Sequence, residues 1–148
     1  MTFVRQKFKH CAVACIVSAL EDKRLKDAQT NIVKKYPVEL QAGQPNEGVP
    51  ETTVDFEKII LSEGLGSAVH WFFDWKTEVY PLLLKNHTPI KAGIFAFLMT
   101  THPTNHCVRI LGVYPKKGLK VMNPEKGIEM WGWKKTETSK PSFCLVAP

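Results

Sequence analysis

Residues 11–20, Cys-Ala-Val-Ala-Cys-Ile-Val-Ser-Ala-Leu, are apolar around the whole helical circumference. A helix with no polar face is buried on all sides, so this stretch predicts a central helix. Polarity returns at Glu21-Asp22-Lys23-Arg24, its expected C-terminal end. A shorter helical piece is predicted over residues 25–35, stopped by Tyr36-Pro37 because the residue before proline disfavours the α region. Residues 37–52 hold three prolines and two glycines and read as one long loop, the kind of segment that serves as a lid or binding loop. Thr53 is the expected cap of a third helix, with Val54, Phe56, Ile59, Ile60 and Leu61 as its apolar positions and Gly64 as its stop. Ala68–Phe73 reads as a short strand. Asp74 then caps a helical stretch from Trp75 to about Leu84 that Pro81 disturbs.

From residue 90 the pattern becomes that of strands. Ile90–Met99 is a near-continuous apolar run closed by the turn Thr100-Thr101-His102-Pro103. His106–Tyr114 is a second strand, Pro115-Lys116-Lys117-Gly118 a hairpin turn, and Leu119–Met122 a third strand ended by Asn123-Pro124. Two more strands are predicted at Ile128–Trp133 and Phe143–Val146. Helices first and an antiparallel sheet second define an α+β chain. The expectation is one domain over residues 1–148, helical over residues 1–88 and sheet-forming over residues 89–148, without repeats or linkers.

Composition changes this picture little. A chain of 148 residues and 16.8 kDa, 44% hydrophobic and 23% charged, can build its own core. Its net charge of +6 invites a nucleic-acid reading, but the lysines are scattered and no arginine-rich run, zinc-finger spacing or RNA-binding aromatic pair accompanies them. No nucleic-acid partner is therefore expected. Nor is membrane insertion, since no apolar run approaches the ~18 residues of a span. Lys7, Lys9 and His10 interrupt any signal-peptide core, which leaves a cytoplasmic location, a signal-independent export route or a piece of a larger protein.

The cysteines carry the chemistry. Cys11 and Cys15 are four apart on one helix, a geometry unsuited to a mutual disulfide, and Cys15, Cys107 and Cys144 read as small core residues. Cys11 differs because it opens the central helix, where the partial positive charge of the N-terminus favours thiolate. Gln6 precedes it closely, and a side-chain amide there can donate to an oxyanion. A nucleophilic thiol needs a general base, and the base needs a group that orients its ring. His106 starts one strand and Asn123 follows the next strand of the same hairpin. In an antiparallel pair those two ends are neighbours.

These residues resemble a known pattern. Gln before Cys-Ala-x-Ala-Cys, then Ile-Lys-Ala-Gly, then His-x-Val-x-Ile-x-Gly-Val, then Val-Met-Asn-Pro is similar to the papain-like cysteine peptidases over residues 6–124. Within them it most resembles the small bacterial branch typified by bacteriocin-processing peptidase domains and staphopain-type enzymes. The resemblance implies Cys11 as nucleophile, His106 as general base, Asn123 as orienting residue and Gln6 as oxyanion donor, acting on a protein or peptide substrate without a cofactor. Gln6 stands one residue closer to its cysteine than is usual. Asn123 replaces the Asp usual in the bacteriocin branch, a change that alters charge and keeps an acceptor for the imidazole. For such a pair the thiol pKa must fall from ~8.5 into the range ~3.5–7.5.

The rival readings are narrower. His10 abuts Cys11, but neighbours on a helix do not face each other. His102 lies in a turn, and His70 and His87 have no evident partners. A metal site from His10, Cys11, Cys15, His106 and Cys107 lacks the short paired spacings of zinc ligands. Asn86-His87-Thr88 matches a glycosylation sequon that an unsigned chain leaves without meaning. Trp71, Trp75, Trp131 and Trp133 read as packing residues, with one or two expected in the wall of a substrate cleft. The function expected is peptide-bond hydrolysis through a thioester, in the setting of a bacterial effector or toxin. The alternatives are glutamine deamidation, transamidation or peptidoglycan amide hydrolysis at the same site, and a silent binding module on the same fold. Specificity is expected in loop 37–52 and the turn 100–105. Oligomeric state is not encoded in any of these features.

Overall fold

The computed structural model describes residues 2–25, 27–85 and 94–148. His87, the Asn86-His87-Thr88 sequon and the start of the Ile90 run lie outside them. The fully apolar segment forms helix α1 (Cys11–Asp22), in which every residue from Ala12 to Leu20 is buried. Helix α2 (Gln29–Lys35) is shorter than the 25–35 expected, because Leu25 closes the end of α1 by donating its backbone N–H to Leu20 O. Helix α3 (Thr53–Ser62) starts after Thr52 and not after Thr53. Thr52 and Asp55 form a reciprocal capping box, with the Asp55 N–H on Thr52 Oγ1 and the Thr52 N–H on Asp55 Oδ2.

Strand β1 (Ala68–Phe72) follows. Asp74 then caps a π-helical turn, Trp75–Val79, which runs into helix α4 (Tyr80–Lys85) with Pro81 at its second position. Strands β2 (Phe95–Thr100), β3 (His106–Tyr114), β4 (Gly118–Asn123) and β5 (Gly127–Trp131) form a meander. The predicted strand to Trp133 ends two residues early. Gly132 is extended and leads into helix α5 (Trp133–Thr138), whose Thr136 hydroxyl donates back to Gly132 O. Strand β6 (Ser142–Ala147) closes the chain.

Among the described residues the sheet has six strands in the order β1-β6-β2-β3-β4-β5, every pair antiparallel. Strand β6 therefore returns from the C-terminus to lie between β1 and β2, a long-range pairing that no local pattern encodes. Alternation along the strands divides the core into two layers. Phe97, Cys107, Met122 and Cys144 face α1, α2 and α3 together with Ile16, Ile32, Phe56 and Ile59. Leu98, Val108, Val121, Trp131 and Phe143 face the other side with Val79 and Leu83. No helix among the described residues is long and apolar enough to cross a membrane.

Candidate active site

The N-terminal segment reaches the site by running beside the end of β4. The Val4 N–H donates to Met122 Sδ (3.4 Å), Arg5 Nη1 to Glu125 O (2.9 Å) and the Gln6 N–H to Pro124 O (3.0 Å). A turn over Lys7–His10 then delivers Cys11 as the first residue of α1. Lys9 in that turn has φ 59°, and its Nζ donates to Asn46 Oδ1 (3.1 Å). His10 is buried. Its Nδ1 lies 2.6 Å from Phe8 O, and its ring packs so closely under Gly48 that a Cβ there would sit 2.6 Å from Nδ1. His10 thus fastens loop 37–52 to the turn before Cys11.

The hairpin ends meet as their positions predict. His106 Nε2 and Asn123 Oδ1 are 2.8 Å apart. The amide orientation of Asn123 is fixed by two further contacts: Oδ1 accepts the Glu125 N–H (3.1 Å), and Nδ2 donates to Glu129 Oε1 (2.8 Å). With Oδ1 established as the acceptor, Nε2 is the His106 nitrogen that donates to Asn123. Glu129 Oε1 also accepts from Trp131 Nε1 at 3.2 Å. Glu129 was not legible as a site residue. Its one signal is an inverted strand pattern, Ile128 and Met130 being 42% and 49% exposed while Glu129 between them is half-buried.

A cleft of ≈ 740 Å³ runs between the helices and the sheet. Gln6, Cys11 and His106 line it together, with Val49–Thr53 on one side and Thr100, Thr101, Thr104 and Asn105 on the other. Phe8, 83% exposed, and Phe56 contribute aromatic wall. The tryptophan expectation is corrected, since none of the four lines the cleft. Trp131 is buried behind it, and Trp75 and Trp133 pack on each other and on Tyr80. Gln6 Oε1 is buried without a hydrogen-bond partner. His102 is exposed, with Nδ1 3.0 Å from Thr101 Oγ1, and His70 lies on the edge strand β1; neither is among the residues lining the cleft.

Cys11 departs from the low thiol pKa expected. Burial pushes it up to about 12, and the nearby Cys107 thiol adds to the rise. The N–H groups of Cys107, Ala12 and Cys11 lower it without offsetting burial. Among the described residues no hydrogen bond joins Cys11 Sγ to His106. All four cysteines are free thiols. Cys107 and Cys144 are buried in the core, and Cys15 is buried with its thiol toward Cys107 O (3.5 Å).

A central helix opening with cysteine, packed on an antiparallel sheet that carries histidine and asparagine on adjacent strand ends, is the arrangement of the papain-like cysteine peptidase fold. Two solved structures share it over nearly the whole chain. One is the peptidase domain of Streptococcus ComA, a bi-functional ABC transporter involved in a quorum sensing pathway. It has TM-score 0.62 and 11% identity, and the match covers 99% of this chain and 98% of that one. The other is a double glycine motif protease from an AMS/PCAT transporter in complex with the leader peptide. Its TM-score is 0.62 at 12% identity, with 99% of this chain and 89% of that one covered. At such identities the likeness is one of fold. No family model and no curated protein sequence matches the chain.

Proposed function

We propose that this protein is a cysteine peptidase acting on a protein or peptide substrate, with Cys11 as nucleophile, His106 as general base, Asn123 as its orienting partner and Gln6 as oxyanion donor. The observation that carries this reading is the 2.8 Å His106–Asn123 hydrogen bond on a cleft that Cys11 and Gln6 also line. His106 Nδ1 takes the Cys11 thiol proton as Sγ attacks the scissile carbonyl carbon. The imidazolium so formed keeps its Nε2–H on Asn123 Oδ1. Burial holds the resting sulfur as neutral thiol, so thiolate and imidazolium arise together by proton transfer. The tetrahedral oxyanion is met by the Gln6 amide and by backbone N–H groups at the start of α1. His106 then protonates the leaving amine, and a water it activates hydrolyses the thioester.

A mixed peptide library incubated with the protein and read by mass spectrometry tests this. Fragments are expected with the wild type and none with Cys11→Ala or His106→Ala. Products gained by about one mass unit instead of cleaved would assign deamidation at the same residues. Fragmentation that persists in Cys11→Ala refutes the reading. So does a library left intact together with iodoacetamide labelling no faster at Cys11 than at Cys15 or Cys107, the result for a silent binding module. The same hydrolysis would serve an effector, a toxin or the peptidase unit of a larger protein, and the sequence at the cleaved bond separates these.

A further inference from the structure

The hydrogen-bond chain does not stop at Asn123. On β5, Glu129 Oε1 accepts Asn123 Nδ2 at 2.8 Å and Trp131 Nε1 at 3.2 Å, so one carboxylate oxygen terminates both donors. Trp131 is buried, and Lys135 Nζ from α5 lies 4.8 Å over its ring. The charged groups that bear on Glu129 are Lys135 and Lys126, the latter from the turn between β4 and β5, and the His106 ring stands on the far side of Asn123. Burial raises the Glu129 pKa, but the Asn123 and Trp131 donors and the two lysines outweigh it, and the carboxyl is held below the ordinary glutamate range. Its charged form is thereby favoured.

An asparagine can orient a histidine that becomes positively charged, but it adds no charge of its own. It is neutral, and its amide can present either end. A carboxylate behind it removes both defects, because it accepts only and thus forces Nδ2 outward and Oδ1 onto His106. Its charge also polarises the amide toward the imidazolium. We infer that Glu129 is a positioning residue for the Cys11–His106 pair: through Asn123 it orients the imidazole and supplies the negative charge that an aspartate in place of Asn123 would supply directly. The inference rests on the peptidase reading of Cys11 and His106.

The test is the pH dependence of Cys11 carboxamidomethylation by iodoacetamide in the full chain, followed by mass spectrometry of the Cys11 peptide. Wild type, Glu129→Gln, Asn123→Asp/Glu129→Gln and His106→Ala are compared. Gln preserves the shape of Glu129 and removes its charge. Glu129→Gln is expected to slow labelling at neutral pH by about tenfold, the low end of the effect that outer partners of metal-ligating histidines have. With the stabilising charge gone the imidazolium is less favoured, so the plateau of its profile should fall by that tenfold factor while the rising limb moves to lower pH. Asn123→Asp/Glu129→Gln, with the charge moved directly onto the histidine's partner, should return the profile toward wild type. A merely structural role for Glu129 predicts no such rescue.

A Glu129→Gln profile that superimposes on wild type overturns the inference while leaving the peptidase reading intact, provided His106→Ala still alters it. A His106→Ala profile identical to wild type overturns both. Should Glu129→Gln fail to fold, the Asn123→Asp/Glu129→Gln variant decides alone. Wild-type-like labelling supports the inference, and labelling slowed like that of His106→Ala refutes it.

Discussion

Replacing Asp22 by alanine tests what holds the helix of the candidate nucleophile against the strand of the candidate base. Arg109, only 3% exposed in the middle of β3, reaches the last turn of α1. Its Nη2 is 2.6 Å from Asp22 Oδ2 and its Nη1 2.9 Å from Ser18 Oγ, while the guanidinium lies 5.2 Å from the centre of the Phe95 ring. Removing one partner of a buried ion pair costs ~3–5 kcal/mol because the other charge stays buried and uncompensated. Asp22 keeps 16% of its side chain exposed and Ser18 still holds Arg109, so the low end, about 3 kcal/mol, applies. At roughly 2–4 °C per kcal/mol for a chain of this size, Tm should fall by about 6–12 °C at pH 7. Burial raises the Asp22 pKa, but Arg109 and Thr2 lower it further, so the folded value lies below the ordinary one. The pair's contribution is therefore complete above the unfolded carboxyl pKa of ~3.9 and is lost as pH falls through the folded value. Calorimetric melts of wild type and Asp22→Ala at pH 7 and at successively lower pH give the comparison. Adding Arg109→Met should recover most of the loss, since it removes the stranded charge. A single variant melting within about 1 °C of wild type at pH 7, where roughly 2–4 °C per kcal/mol is expected, would refute the assignment. So would a double variant no better than the single.

Two further changes probe how the cleft is built. Gly48 has φ +91° and its missing Cβ would meet the His10 ring, so Gly48→Ala should cost at least the ~1–2 kcal/mol of left-handed strain and release loop 37–52, read as faster limited proteolysis within that loop. Thr52→Ala removes the capping box of α3 and should lower stability by about 1 kcal/mol in urea unfolding, with Thr52→Ser recovering most of it.

The elements written in local pattern were legible, and those set by distant pairing were not. Helix α1 could be read because ten consecutive residues, nine apolar and one serine, leave it no polar face. The β3–β4 hairpin could be read because its turn carries proline and glycine between two apolar runs. That hairpin alone brings His106 and Asn123 within hydrogen-bonding distance. The place of β6 between β1 and β2 joins residues about 75 positions apart, such as Trp71 and Cys144, and nothing in either strand names its partner. The start of helix α5 reads as strand because Trp131-Gly132-Trp133 alternates like one, whereas Gly132 is where the chain turns away from the sheet.

The candidate site divides along the same line. Residue identity and order pointed to Cys11, His106, Asn123 and Gln6, but the state of the sulfur depends on solvent exclusion, which a sequence does not display. A helix N-terminus is worth a few tenths to about 2 kcal/mol to a nearby anion. Burial acts on the same anion in the opposite sense and here prevails, so the resting Cys11 is a thiol. In the proposed peptidase that state of the sulfur puts more weight on the histidine. On that proposal the sulfur's proton goes to His106, and whatever stabilises the imidazolium contributes to activating Cys11. Asn123 does this through its hydrogen bond alone, without a charge. The nearest anionic group joined to it by a hydrogen bond is Glu129, on a strand whose apolar residues face outward and whose acid faces in. On the inference drawn above, the inverted pattern of β5 is the cost in exposed surface of placing a charge behind the histidine's partner.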